Sequence, residues 1–99
     1  MKRSFFIHAE AEREVQEAFD WYEAQSLGLG AEFLRAADAC VAAIQRNPYI
    51  YPAVHGQTRR AILRKFPYAL FYLIEERRII VLACFHSRRN PRDWERRSK

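Results

Sequence analysis

Apolar residues recur along this chain with two periods, and the change of period divides it into elements. Residues 3–8 read as a short strand. From residue 9 to about 25, Ala11, Val15, Ala18, Phe19 and Tyr22 return every three or four positions, which predicts an amphipathic helix. Glu10, Glu12 and Glu14 near its start suit the positive end of the helix dipole. The run Ser26-Leu27-Gly28-Leu29-Gly30 interrupts the period. A second helix to about Arg46 carries Phe33, Leu34, Ala37, Val41 and Ile44 on one face, and Asn47-Pro48 ends it. So short a connection predicts an antiparallel helix hairpin. Residues 48–58 form a loop, and strands follow at about 59–66, 68–75 and 78–86. Pro67 belongs at a strand start, bend or edge because it lacks a ladder donor. The order β-α-α-β-β-β predicts an α+β, two-layer domain, with the hairpin packed on one face of an antiparallel sheet.

Two of these strands are apolar on both sides. In 68–74, Leu70, Tyr72 and Ile74 oppose Ala69, Phe71 and Leu73. In 79–85, Ile79, Val81, Ala83 and Phe85 oppose Ile80, Leu82 and Cys84. A helix hairpin covers one sheet face only. The second face is covered either by the 48–58 loop and the C-terminal tail or by a partner chain, and the partner is the favoured reading.

Ninety-nine residues without repeats suit one domain spanning 1–99, with a basic tail from about 87. A hydrophobic content of 49% excludes a disordered chain. The net charge of +5 is uneven: residues 1–58 sum to −3 and residues 59–99 to +8. Of 17 cations, 14 are arginine, the side chain suited to bidentate contact with phosphate or carboxylate. Arg59, Arg60 and Arg64 precede the apolar strands, and Arg88, Arg89 and Arg92 follow them, so the sheet has a cationic mouth facing an anionic partner. Cys40 and Cys84 sit in apolar contexts without metal-ligand spacing and read as buried thiols of a reducing compartment. No metal or cofactor is expected. The apolar run Phe5-Phe6-Ile7 is too short for a signal peptide, and no stretch is long enough to cross a membrane, so the cytoplasm is the expected location.

Several short pieces, in order, resemble the RelE/ParE superfamily of type II toxins, over about residues 7–94. They are Trp21-Tyr22, Leu27-Gly28-Leu29-Gly30 with Phe33, Ile44, Asn47-Pro48, Tyr51-Pro52, Arg60, Phe66-Pro67-Tyr68, Tyr72, and His86 with Arg88, Arg89, Pro91 and Trp94. The FPY and HxRRxP pieces are most similar to the ParE-like, or plasmid stabilisation, branch. The resemblance implies a toxin neutralised by a cognate antitoxin that wraps around it, in a toxin–antitoxin hetero-oligomer. It implies DNA gyrase as the target of a ParE-like member, without nuclease chemistry, or the ribosome and mRNA as the target of a RelE-like endonuclease. A third possibility is an inactive relative that binds antitoxin only.

These readings divide the candidate residues. Cleavage through a 2′-oxygen needs a base, an acid and a cationic cradle for phosphate. His86, with Arg64 or Arg88, is the candidate set, although thirteen residues follow His86, unlike the chain-end catalysts of histidine-bearing nucleases in the superfamily. Lys65 and Tyr68 stand nearby in sequence. Under the gyrase reading, Arg60, Tyr68, Arg88, Arg89 and Trp94 contact the target. For the antitoxin, Leu70, Tyr72 and Leu82 are the contacts expected on an open sheet face. Each also has a structural reading: His86 as a hydrogen-bonded strand end, the tyrosines as sheet residues, and Arg59, Arg60 and Arg64 as solvated edge charges.

Overall fold

The computed structural model describes residues 3–87 and Arg97. Its elements are β1 (Ser4–Ile7), α1 (Ala9–Gln25), α2 (Leu29–Arg46), β2 (Ala53–His55), β3 (Thr58–Ile62), β4 (Tyr68–Ile74) and β5 (Arg78–His86). Helix α1 starts where the His8 ring accepts the Glu10 N–H at 3.1 Å. The reversal into α2 needs Gly28, whose φ of +90° suits glycine alone. Glu23, in the last turns of α1, then caps α2. Its two carboxylate oxygens accept the Gly28 and Gly30 N–H groups at 2.9 Å each, placing negative charge at the helix N-terminus. Gly30 lies so close to α1 that a Cβ there would come within 2.8 Å of the Phe19 ring.

The sheet order is β1-β5-β4-β3-β2. The predicted α+β class, its two layers and the helix hairpin are all present. Two details differ. The sheet is mixed, because the hairpin returns the chain so that β1 lies parallel to β5, Ser4 opposite Arg78. The expected 48–58 loop contains β2, a three-residue edge strand joined to β3 through Gly56 at φ +56°. Strand β3 also stops at Ile62, four residues early. Lys65 takes φ +68° in a tight turn that the Leu63 N–H closes on the Tyr68 carbonyl at 2.9 Å.

Alternation along β5 fails at one point. Phe71 pairs with Ala83 but Tyr72 pairs with Val81, leaving Leu82 as the extra residue of a bulge. Cys84 therefore joins Ile79, Val81, Leu70 and Tyr72 under the helices, with Phe33, Ala37 and Ile44 above them. Ala83 and Leu82 turn to the other face with Ala69, Phe71 and Phe85. That second face is not open. Its five central residues are 0–2% exposed within the single chain, with Val54 of β2 among the side chains packed on it.

Candidate functional site

The end of the sheet that carries the β3–β4 turn gathers Trp21, Tyr22, Tyr68 and His86. Tyr68 opens β4 directly opposite His86, which closes β5, and their rings lie 6.1 Å apart. The Tyr22 ring sits 6.0 Å from Tyr68 and 4.9 Å from Phe66, and edge-on to Trp21 at 5.0 Å. Trp21 is 57% exposed, so the cluster grades from core to solvent. A cleft of about 280 Å³ between α1 and β5 is lined by Glu14, Glu17, Trp21, Tyr68 and His86 among others.

Burial pushes the Tyr22 and Tyr68 hydroxyls up from their ordinary pKa. Each interacts with a second acid: Tyr22 with Tyr68, and Tyr68 with the Cys84 thiol. Both remain protonated donors at neutral pH and are poor bases. Among the described residues, no lysine or arginine lines the cleft at His86, so its lining holds no cation to cradle a phosphodiester.

The predicted site residues fall in different places. Arg60 pairs with Phe71 and so lies on the face away from the helices. It donates to the Ser87 carbonyl at 3.3 Å, and its Nε is buried without a hydrogen-bond partner. Arg60 thus reaches the same end of β5 as His86. Arg64 is exposed and lines a groove of about 350 Å³ beside α2, with Cys40, Arg46 and Tyr51. His86 and Arg64 therefore line separate cavities. Arg88, Arg89 and Trp94 lie outside the described residues.

The three expected antitoxin contacts require correction as exposed groups. Leu70 is 2% exposed, Tyr72 0% and Leu82 0%. Leu70 and Tyr72 face the helices, and Tyr72 donates its hydroxyl to the Pro48 carbonyl at 2.6 Å. Leu70 forms part of the floor of a small apolar groove, about 80 Å³, whose lining includes Ile7 and Leu34. Those two are 40% and 37% exposed, and Phe6 of the same edge strand is 50% exposed. Apolar surface around this groove thus reaches solvent on β1 and α2, while Leu27, Ile50 and Ile62 are exposed elsewhere.

Sequence reasoning missed two clusters. At the opposite end, Arg3 and Arg59 each place a guanidinium over the Tyr49 ring, at 5.7 and 5.2 Å. The second cluster pairs Glu14 with Arg97. Its available signal was an acid on the apolar stripe of α1, three residues after Ala11 and four before Ala18.

The sequence model of one family, the ParE toxin of the type II toxin–antitoxin system parDE, matches residues 5–91. The chain belongs to the ParE toxin family. It is a ParE-like toxin of a type II toxin–antitoxin system, a class that implies an antitoxin partner. Among solved structures, one from the chromosomal ParDE TA system of P. aeruginosa has a TM-score of 0.64 and 16% identity. The match covers 85% of this ParE-family chain and 95% of that one, and at such identity it supports the fold alone. No curated protein matches the chain. Among the described residues, no helix is long and apolar enough to cross a membrane, and no group of His, Cys, Asp or Glu is arranged to hold a metal ion.

Proposed function

We propose that this ParE-like toxin arrests growth by binding DNA gyrase, and that it does so without cutting nucleic acid. The observation that supports this reading is the composition of the site at the Tyr68–His86 end. It offers aromatic surface and protonated tyrosines, its described lining includes no lysine or arginine, and Arg64 lines a different cavity from His86. Target contact is assigned to the end of β4 and β5, with Arg60 and Tyr68 anchored there. Arg88, Arg89 and Trp94 follow Ser87 in the chain. The cognate antitoxin docks its apolar side chains over Ile7 and Leu34, above the groove floored by Leu70, where apolar surface reaches solvent.

Regulated expression with pulse labelling of DNA, RNA and protein synthesis tests the target. DNA synthesis is expected to fail first, and His86→Ala is expected to remain as toxic as the unaltered chain. Early loss of protein synthesis, with new mRNA ends that vanish in His86→Ala, would establish the ribosome-dependent nuclease instead. Leu34→Asp, on a position open to solvent, is expected to fold normally and weaken antitoxin binding at least about tenfold, the order of one lost apolar anchor. Unchanged affinity would move the antitoxin off this groove.

A further inference from the structure

Strand β1 covers only part of the outer edge of β5. Its register ends with Ile7 opposite Val81, and the His8 N–H closes the ladder on the Val81 carbonyl at 2.8 Å. Beyond that point no strand among the described residues pairs with this edge of β5, and its backbone groups need other partners. The bulge at Leu82 turns the next carbonyl to the same edge. Two side chains complete it. Glu14 Oε1 accepts the Cys84 N–H at 3.0 Å, and Arg97 donates to the Leu82 carbonyl at 3.0 Å.

Those two side chains also bind each other. The Arg97 guanidinium meets both oxygens of Glu14 at 3.0 Å, a bidentate pair, and its Nε lies 2.9 Å from Glu10 Oε2. Its Cζ sits 5.1 Å from the centre of the Phe85 ring. The side chains of Arg97 and Glu14 are only 12% and 9% exposed. A carboxylate this shielded, with a backbone donor already on one oxygen, is a built receptor for a planar fork of N–H groups. Burial by itself would lower the Arg97 pKa, but hydrogen bonds and charge from Glu14 and Glu10 outweigh it and hold it up.

We propose that Glu14, Glu10, the Leu82 carbonyl and the Phe85 ring form a guanidinium-binding site on the free edge of β5, and that Arg97 is its intramolecular ligand. The site reads a guanidinium rather than a positive charge in general. An ammonium could meet one carboxylate oxygen, but it lacks the planar fork that spans both Glu14 oxygens and reaches a carbonyl and a second carboxylate. Occupancy also anchors the chain at a second point. Ser87 is held to the Pro67 carbonyl at 2.9 Å, and Arg97 is held to α1. Glu14 and Phe85 also line the cleft that holds Tyr68 and His86, so the site borders the proposed gyrase contacts, but its test reads stability and does not depend on that reading.

The test is thermal unfolding of the full chain with Arg97→Met, Arg97→Lys, Glu14→Gln and the Arg97→Met/Glu14→Gln pair. Arg97→Met is expected to lower Tm by roughly 5–10 °C, on the scale of a domain this size. Arg97→Lys should recover less than half of that loss. The double variant should be no less stable than the worse single one, because both changes break one interaction. Millimolar methylguanidinium should raise the Tm of Arg97→Met by at least about 2 °C, as binding to the folded state requires. It should leave the unaltered chain and the double variant unmoved. Additive losses in the double variant, full rescue by lysine, or no response of Arg97→Met to methylguanidinium would each overturn the assignment. If Glu14→Gln fails to fold, the same cycle with Glu10→Gln decides it by the same criterion.

Discussion

Cys40 and Cys84 show at single residues what burial does to chemistry. Burial holds the Cys40 thiol at a pKa of about 11, and burial with the Glu14 carboxylate nearby holds Cys84 at about 12, against an ordinary 9.0. Tyr72, also buried, is pushed up to about 12 from 10.0. For each group the folded value lies above the unfolded one. Their contribution is complete below the unfolded pKa and is lost as pH rises through the folded value. Tm is therefore expected to fall from about pH 9 upward, and a thiol reagent at pH 8 should leave the native protein unlabelled. Rapid labelling of both cysteines without unfolding would contradict this. Gly30 sets two effects against each other. Alanine gains about 1 kcal/mol of helix propensity, but its Cβ would lie 2.8 Å from the Phe19 ring and 2.9 Å from Glu23 Oε1. Overpacking of that kind costs about 1–3 kcal/mol. Gly30→Ala is expected to destabilise by about 1 kcal/mol in urea unfolding, and a stabilised variant would show that the hairpin opens without penalty. The role of Glu14 left one signal in the sequence, an acid on the apolar stripe of α1, which did not identify it. Its place among three glutamates matched the helix dipole equally well, and only the arrival of β5 and Arg97 shows that it is a buried receptor.

Among the elements, the helices were the most legible because their apolar stripes run for four turns or more. The hairpin turn was legible too, through its glycines. What holds it was not, since Glu23 acts on Gly28 and Gly30 from the preceding helix. Glu23→Ala is expected to cost about 1 kcal/mol, the usual value of a helix cap, and Glu23→Gln less, because its amide keeps one acceptor. Equal losses in urea unfolding would assign the effect to charge alone. The strands were found, but their ends and phase were not. Strand β2 has only three residues and no alternation to detect, and a positive φ at Lys65 shortens β3. The bulge at Leu82 reverses the phase of β5 with no glycine to mark it. It sends Cys84 into the core and Ala83 to the opposite face, the reverse of the strict alternation that the sequence suggests.

At the scale of the whole molecule, a sheet apolar on both faces predicted a partner for the second face, and the single chain buries its centre instead. The apolar side chains that do reach solvent lie elsewhere and include Phe6, Ile7 and Leu34 beside one groove. The cationic mouth was legible as a charge gradient from −3 to +8, but a gradient does not show which arginines share a site. Arg60 reaches the end of β5 while Arg64 lies in the groove beside α2. That separation, together with the lack of lysine or arginine in the described lining of the cleft at His86, underlies the claim that this ParE-family toxin acts by binding rather than by cutting. Supercoiling of relaxed plasmid by purified gyrase, with the toxin added alone and with its antitoxin, tests that claim most directly. Inhibition by stoichiometric toxin, relieved by antitoxin and retained by His86→Ala, is the predicted result. Undiminished supercoiling at a large excess of folded, antitoxin-free toxin would contradict it.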